Sequence, residues 1–257
     1  MKKNIKFFFK KKNRSKIICL TAYSKSIARI LDKHCDIILV GDSLANVLYG
    51  MKNTHNITLN TMIRHATSVK AGVNNSIVVV DMPKGSYNNI IDAKKNSKKI
   101  IVKSKCDAVK IENNKKNYNI IKELVRSNIP VMGHIGFTPQ FHKKFKIKGS
   151  SIAEEEALVK EAVEIEKAGA FAIVLECVAS KAVKKIMNSV KIPTIGIGSS
   201  NLCDGQILVT DDMLGLSGFH PKFVKKYINL SNIIKNAVIK YKKDVIKKKF
   251  PTKKNSY

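Results

Sequence analysis

Short apolar runs recur along the chain and alternate with longer segments of mixed polarity. No run exceeds eight residues, each is rich in Ile and Val, and its apolar positions are consecutive rather than alternating. Such runs are typical of strands in a parallel sheet, because helices cover both faces of that sheet. The pattern predicts eight buried strands, at 17–23, 36–43, 76–83, 107–112, 130–136, 170–177, 193–198 and 205–211.

Most segments between these runs have the apolar spacing of amphipathic helices. Residues 26–34, 154–167 and 181–190 place apolar side chains three or four positions apart, on one helix face. Gly169 follows the second segment and is a favourable residue just beyond a helix C-terminus. Eight successive strands joined in this way predict a (β/α)8 TIM barrel. A doubly wound open sheet is the structural alternative, although the glycine fingerprint often found in it is absent.

The two ends of the chain lie outside this alternation. Residues 1–15 form a basic N-terminal lead, and residues 222–257 form a lysine-rich segment with an apolar stripe at helical spacing. The sequence contains no linker rich in Pro, Gly or Ser and no internal repeat, and its 257 residues suit one TIM barrel. We therefore predict a single barrel domain over 1–257, in which part of the C-terminal stripe packs and 247–257 is solvated.

The formal net charge of +29 bears on the choice of function. Such a charge is compatible with nucleic-acid binding, because phosphates attract basic side chains. Nearly all of the charge comes from lysine, however, and the four arginines are few for a protein that reads bases. Lysine, asparagine and isoleucine are abundant throughout, which fits codon drift in an AT-rich genome. We interpret the charge as compositional and keep a basic polyanion-binding protein as an alternative.

The cysteines and the apolar runs together predict a cytoplasmic protein. The five cysteines are odd in number and none has C-x-x-C spacing, so neither a disulfide framework nor a zinc site is expected. No run reaches the roughly 18 apolar residues of a membrane span. The basic lead lacks the apolar core and cleavage site of a signal peptide, whereas its lack of acidic residues leaves a transit peptide open.

Ionisable side chains stand at the C-terminal ends of five consecutive predicted strands. They are Asp42, Asp81, Lys110 with Glu112, His134 and Glu176. Catalytic groups occupy this end of the strands in TIM barrels. Each residue alone has an ordinary structural explanation, such as a helix cap, a rim ion pair or a hydrogen-bonded core histidine. Five such strand ends in succession predict that the side chains meet in one pocket.

The residue types in this pocket indicate a metal and a general base. Several buried carboxylates repel each other unless a cation lies among them, and oxygen ligands without a Cys–His cluster favour Mg²⁺. Lys110 lies two residues before Glu112 on one strand face, where it can hold a substrate carboxylate. Glu176 is the candidate base, because burial raises a carboxylate pKa towards neutrality. The glycine-rich segment 195–200 either cradles an anion or permits close backbone packing.

Eight motifs together resemble the ketopantoate hydroxymethyltransferase family. They are LVGDSL at 39–44, DMP at 81–83, VKIE at 109–112, GHIGFTPQ at 133–140, LECV at 175–178, IGIG at 195–198, DGQILV at 204–209 and GFHPKFVK at 218–225. Each motif is modest alone, but they follow the family's order along most of the chain. The resemblance implies a (β/α)8 TIM barrel of the phosphoenolpyruvate/pyruvate-binding type.

The same resemblance implies a reaction and a set of site residues. A hydroxymethyl group would pass from 5,10-methylenetetrahydrofolate to 3-methyl-2-oxobutanoate through a Mg²⁺-stabilised enolate, giving 2-dehydropantoate for pantothenate biosynthesis. The implied roles are metal binding by Asp42, Asp81 and Glu112, oxo-acid binding by Asp42, Ser43, Asp81 and Lys110, and proton acceptance by Glu176. We expect His134 to orient groups in this substrate pocket. The family is typically a cytoplasmic homo-oligomer, a decamer in bacterial members, so no membrane and no specific nucleic acid is expected as a partner.

The chain also departs from the family pattern, in segments expected over the pocket. Ser24 replaces a usual aspartate, Asn56 a proline and Lys84 an apolar residue. Segment 141–150 is shortened, with Ser150 where an arginine is common. These departures concern folate binding and the lid more than the metal. A metal-dependent aldolase or lyase on another 2-oxo acid remains the alternative function.

Overall fold

The chain folds around a closed eight-stranded parallel barrel. The computed structural model describes residues 4–114, 117–142, 145–218 and 221–257. The strands pair in chain order, and β1 closes the barrel against β8. They are β1 Ile17–Thr21, β2 Ile37–Val40, β3 Ile77–Asp81, β4 Ala108–Glu112, β5 Val131–Gly136, β6 Ala172–Glu176, β7 Thr194–Ile197 and β8 Gly205–Leu208. The predicted TIM barrel and all eight strands are confirmed, and the doubly wound alternative is wrong.

Helices precede, separate and follow the strands. They are α1 Ile5–Lys11, α2 Lys25–Leu31, α3 Leu44–Val47, α4 Leu59–Lys70, α5 Ile90–Ser104, α6 Tyr118–Arg126, α7 Ile152–Lys167, α8 Ser180–Ser189, α9 Thr210–Met213 and α10 Leu230–Ile246, with a short 3₁₀ turn at Lys253–Asn255. Strands β7 and β8 are joined without a helix, by the fully described segment 198–204. Helix α7 ends where the sequence predicts, because Gly169 takes a left-handed φ of +92° just beyond it.

Successive residues of each strand point to opposite faces of the barrel wall, which gives the protein two apolar clusters. Val78 and Val80 of β3 pack with the surrounding helices in one cluster. Ile77 and Val79 belong to the other cluster, which fills the barrel interior. Both faces of the wall are therefore buried, which explains why the strands are apolar without alternation. The next inward position on β3 is Asp81, at the carboxyl end of the strand.

The basic N-terminal lead forms helix α1 and packs beneath the barrel, an arrangement that its charge does not predict. Phe8 is fully buried in the interior cluster, with its ring centroid 6.2 Å from that of Phe171. Two lysines that follow Phe8 in the sequence form ion pairs with Asp36 and Asp204. These two acids precede β2 and β8. Because these acids stand at the amino ends of their strands, α1 closes the end of the barrel opposite to the ionisable cluster.

Residues 210–257 form a second compact unit, separate from Met1–Val209. Helix α10 has no buried residue, so the packing expected of its apolar stripe is not found within this unit. Residues 247–257 are almost entirely exposed. Two residues of the motif at 218–225, Phe219 and His220, lie outside the described residues, as do residues 1–3 of the basic lead. No described helix combines the length and apolar character needed to cross a membrane.

Candidate active site

The inward positions at the carboxyl ends of three neighbouring strands carry charged or ionisable side chains. Strand β4 supplies Lys110 and Glu112, strand β5 supplies His134, and strand β6 supplies Glu176. Register places Glu112 beside His134 and Asp81 beside Lys110 across adjacent strands. Because each of these residues has the strand parity of the interior cluster, they extend the barrel interior upward as a polar layer.

A buried ion pair joins β3 to β4. The Lys110 Nζ lies 2.8 Å from Asp81 Oδ1, and both side chains are almost fully buried. The other carboxylate oxygen of Asp81 accepts the backbone N–H of Asp42 at 3.0 Å. Burial alone would lower the pKa of Lys110, but the charges of Asp81, Glu112 and Asp42 raise it above its ordinary value. Lys110 therefore stays cationic, and its direct partner is Asp81. A rim ion pair between Lys110 and Glu112, the structural alternative for these two described residues, is not formed.

Gln140 joins two further acids of the cluster. Its side-chain Nε2 donates to Asp42 Oδ2 at 2.8 Å, and its backbone N–H donates to Glu112 Oε2 at 2.9 Å. All three residues are buried. Asp42 and Glu112 are thus held at neighbouring positions through a shared donor, although they belong to segments after β2 and within β4.

His134 lies between two carboxylates. Its Nε2 is 3.2 Å from Glu176 Oε2, and its Nδ1 is 3.8 Å from Glu112 Oε1. Neither ring nitrogen has a hydrogen-bond partner of good geometry among the described residues. Burial, together with the charge of Lys110, holds the pKa of His134 well below its ordinary value. The ring is therefore neutral and can donate to only one of the two acids at a time.

The pKa values of the acids indicate that the cluster has too little positive charge. Burial and the Asp81 charge raise the pKa of Asp42 to about 7. Burial and the Asp42 charge raise the pKa of Glu112 well above its ordinary value. Burial raises the pKa of Glu176 to about 8, although Lys110 opposes the shift. Four acids share one lysine, so an added cation would stabilise their ionised forms.

The donor set fits Mg²⁺, provided that a ligand completes its coordination. No group of three His, Cys, Asp or Glu side chains in the described ranges is arranged to hold a metal by itself. Mg²⁺ ordinarily takes only one or two carboxylates and fills the remaining positions with water and substrate oxygens. Hydrogen bonds connect the predicted ligands: the backbone N–H of Asp42 donates to Asp81, and Gln140 donates to both Asp42 and Glu112. Their role as metal ligands stays a prediction.

The remaining predicted residue, Ser43, borders the same cluster. Its hydroxyl lies 2.9 Å from the hydroxyl of Tyr23. A Cβ added at Gly41 would lie 2.9 Å from Ser43 Oγ and 3.6 Å from Asp81 Oδ2, so this glycine lets the β2 loop approach Asp81 closely. All seven sequence-predicted site residues therefore lie at one end of the barrel.

The departures from the family pattern fall partly at this end as well. Lys84 follows β3, and its Nζ lies 3.4 Å from His55 Nδ1. The other ring nitrogen of His55 donates to the carbonyl of Pro139 at 3.0 Å. The segment with Lys84 is thus connected to the residue before Gln140. Lys143 and Lys144, in the shortened segment 141–150, lie outside the described residues.

Backbone packing accounts for both glycines of the 195–198 motif. A Cβ at Gly196 would lie 3.0 Å from the Gln206 side chain and 3.1 Å from Cys203 Sγ. Gly198 takes a left-handed φ of +59°. The first glycine permits close approach and the second a turn, which favours packing over an anion cradle.

Gln140 is the residue that the sequence reasoning missed. It ends the motif at 133–140 but carries no charge and lies four residues beyond β5. Its position after a strand rich in site residues was the available signal.

The full set of side chains can hold a small anionic ligand at Lys110, position a cation with carboxylates and remove a proton at Glu176.

Comparison with known proteins identifies relatives of this chain. The profile of a family described as ketopantoate hydroxymethyltransferase matches residues 2–253. A 3-methyl-2-oxobutanoate hydroxymethyltransferase from Pelagibacter ubique (strain HTCC1062) is 54% identical over 257 residues, covering 100% of both chains. The enzyme of the same name from Anaplasma marginale (strain Florida) is 44% identical over 250 residues, covering 96% of this chain and 90% of that one.

A solved structure with low sequence identity shares the fold. The 2,3-dimethylmalate lyase structure, a member of the PEP mutase/isocitrate lyase superfamily, has a TM-score of 0.65 at 17% identity and covers 93% of this chain and 88% of its own. This likeness shows the shared barrel fold, whereas the family match and the two close relatives decide the family. The chain therefore belongs to the ketopantoate hydroxymethyltransferase family.

Proposed function

We propose that this chain transfers a hydroxymethyl group from 5,10-methylenetetrahydrofolate to 3-methyl-2-oxobutanoate, in pantothenate biosynthesis and with Mg²⁺. The match to relatives named for this reaction supports the transfer and the oxo acid. The observation that carries the chemistry is the buried cluster of four acids, Glu176 among them, around one lysine. Such a cluster suits an anionic substrate that arrives with a divalent cation.

The charged side chains of this cluster would bind the oxo acid and Mg²⁺. They are Lys110, Asp42, Asp81 and Glu112. Lys110 is cationic and buried, so it can neutralise the carboxylate of the oxo acid. The acids Asp42, Asp81 and Glu112 would hold Mg²⁺, and Ser43 would contact the oxo acid. When bound, Mg²⁺ supplies positive charge beside the keto oxygen, where negative charge develops as the C3 proton leaves.

Glu176 would accept that C3 proton. Its side chain is 17% exposed, so one side of the carboxylate is open to a ligand while the other faces His134. The raised pKa brings its basicity closer to that of the carbon acid than an ordinary carboxylate. His134 is neutral and its Nε2 lies 3.2 Å from the Glu176 carboxylate, so a small rotation of the ring would let it donate one hydrogen bond there.

Carbon–carbon bond formation follows proton removal. Both carbon–nitrogen bonds of the folate methylene group must break before a hydroxymethyl group can form. Water hydrolyses these bonds, which releases tetrahydrofolate and leaves the one-carbon unit as formaldehyde. The electron pair left on C3 then attacks the formaldehyde carbon, and its oxygen takes up a proton to become the hydroxyl group of the product. The oxo acid must be shielded from bulk water until this step, and the segments with Lys84 and Pro139 lie at the site as candidates for that role.

We further propose that the working form is a cytoplasmic homo-oligomer. All five cysteines are buried and none forms a disulfide bond, which suits a reducing compartment. The apolar stripe of α10 is exposed within its own unit and would be covered in an assembly.

Two assays test this function. In D₂O with Mg²⁺, the protein should catalyse exchange of the C3 proton of 3-methyl-2-oxobutanoate, followed by NMR, and chelation of Mg²⁺ should stop it. Addition of methylenetetrahydrofolate should then yield 2-dehydropantoate. Absence of exchange under all conditions would contradict the proposal, whereas product formation from an oxo acid without folate would favour the aldolase or lyase alternative.

A further inference from the structure

Gln140 makes four hydrogen bonds at the centre of the acid cluster, although its side chain is uncharged. It is 1% exposed. Its side-chain Nε2 donates to Asp42 Oδ2 at 2.8 Å and to the Met82 carbonyl at 3.0 Å. Its Oε1 accepts the Tyr87 hydroxyl at 2.5 Å, and its backbone N–H donates to Glu112 Oε2 at 2.9 Å. All its donors and its acceptor are therefore engaged by neighbours from three other segments.

These partners fix the orientation of the amide. The Met82 carbonyl can only accept, so the NH₂ group must face it and, beside it, Asp42. The amide oxygen then faces Tyr87, which must donate its O–H. A reversed amide would place its oxygen against the Met82 carbonyl and the Asp42 carboxylate, neither of which can donate. Gln140 is therefore locked with its donors directed at the carboxylate.

This lock affects two acids that carry like charge. Asp42 raises the pKa of Glu112, so the two carboxyl groups interact across the cluster. Gln140 donates to one oxygen of each group, which restricts the rotation of both side chains and leaves their other oxygens to further partners. Hydrogen bonds that orient ligating carboxylates in this way tune metal sites.

We propose that Gln140 is a positioning residue, which orients Asp42 and Glu112 to receive the divalent cation together with the oxo acid. The inference rests on the proposed function, because it assigns Gln140 to that same site. Gln140 does not touch the reacting carbon and exchanges no proton. It acts through the two carboxylates that it contacts.

A purely structural role predicts a different outcome from a positioning role. Replacement of Gln140 by methionine fills similar volume but leaves Met82 O and the Tyr87 hydroxyl without the amide. Loss of these bonds would lower the unfolding temperature in either case. Only a positioning role also weakens cation binding, and only through Asp42.

The experiment measures Mn²⁺ affinity by electron paramagnetic resonance in the presence of 3-methyl-2-oxobutanoate. Gln140→Met should weaken Mn²⁺ binding about 10- to 100-fold, the usual effect of removing a residue that orients metal ligands. The matched control is Thr194→Val, which removes a buried hydroxyl bonded to Asp204 at the amino end of β7. That control should lower the unfolding temperature and leave Mn²⁺ affinity unchanged.

A double-mutant comparison shows whether the effect of Gln140 on Mn²⁺ binding passes through Asp42. In an Asp42→Asn background, Gln140→Met should weaken Mn²⁺ binding by about twofold at most, because the carboxylate that Gln140 orients is gone. Gln140→Asn, whose shorter amide cannot span Asp42 and Met82, gives the same comparison if the methionine variant fails to fold.

Three results would overturn the inference. Wild-type Mn²⁺ affinity in both Gln140 variants would leave only a structural role, with the proposed function intact. Equal losses with and without Asp42→Asn would place the effect elsewhere. Wild-type protein that binds no Mn²⁺ with the oxo acid, and exchanges no C3 proton, would overturn the proposed function together with the inference.

Discussion

Glu176 combines burial with access, which is the combination that a general base requires. The carboxylate lies at the end of β6, 3.2 Å from His134 Nε2. Burial raises its pKa to about 8, while the positive charge of Lys110 limits the shift. The carboxylate of Asp81, in contrast, is already engaged by Lys110. The role of Glu176 as the proton acceptor stays a prediction.

Glu176→Gln should abolish proton removal without blocking substrate binding. The amide has almost the same shape, but it cannot accept a proton from C3. We expect C3 exchange and turnover to fall about 10²- to 10⁴-fold, the usual contribution of a general base. Affinity for the oxo acid should change about twofold at most, measured by calorimetry with Mg²⁺ present. Retention of exchange by this variant would remove Glu176 from the mechanism.

The pH dependence of exchange should report the Glu176 carboxylate. Because only the ionised form accepts a proton, exchange should fall as pH drops below the pKa of Glu176, which is about 8 in the metal-free protein. Bound Mg²⁺ favours the ionised form, so saturating metal should move the falling limb to lower pH. Rates measured from pH 5 to 9 at low and high Mg²⁺ test this. A limb that metal does not move would contradict the assignment.

At the scale of the element, the inward-facing positions of a single strand have different roles along its length. The lower positions stabilise the barrel, and the top position contributes to the site. The lower interior positions of β3 are Ile77 and Val79, and the top one is Asp81. Helix α1 closes the bottom with Phe8. Ligand chemistry is confined to the top because the amino ends of the strands are closed by apolar packing and by ion pairs with Asp36 and Asp204.

Phe8→Ala should therefore destabilise the protein without altering its chemistry. Loss of a fully buried phenyl ring leaves a cavity beside Phe171 and should lower the free energy of unfolding by about 3–5 kcal/mol. The value of kcat/KM for the oxo acid should stay within about twofold, because the site is at the other end of the strands. Chemical denaturation and steady-state kinetics measure the two effects. Phe7→Ala, at a less buried position of α1, is the matched control.

Charge and exposed apolar surface dominate the picture at the scale of the whole molecule. The net charge of +29 comes from basic residues along the whole chain, whereas several of the acidic residues are buried in the site. In α10, lysines alternate with an apolar stripe of Ile234, Val238, Tyr241 and Val245, whose side chains are 43–58% exposed. An exposed apolar stripe of this size is typical of an interface.

Ile234→Glu should disrupt the proposed homo-oligomer. A carboxylate in a buried apolar interface has no partner and is costly. We expect light scattering to give a multiple of the single-chain mass for the wild-type protein and a lower mass for this variant. Lys235→Glu, the next residue of the same helix, should leave the mass unchanged. A wild-type monomer would show that the stripe of α10 is not an interface between copies.

The resemblance carried by sequence motifs led to the correct family because the motifs and the strand ends coincide. Asp42, Asp81, Glu112 and Glu176 each follow or end a predicted strand, and the structure places all of them at one end of the barrel. The charged lead was less informative. This lead forms a helix whose Phe8 lies in the barrel interior. A single buried side chain among lysines gives little periodic signal in the sequence.

The sequence by itself favoured closure into a barrel over an open sheet, and it determined the eight buried strands and the strand ends that carry ionisable groups. These follow from local physics, because a strand buried on both faces must be apolar throughout and a side chain at a given parity must face the interior. Tertiary structure alone decided which groups touch. Lys110 pairs with Asp81, and Gln140 reaches Asp42 across 98 positions of chain. Those contacts depend on the stagger of strands around a closed barrel, which residue spacing along the chain does not specify.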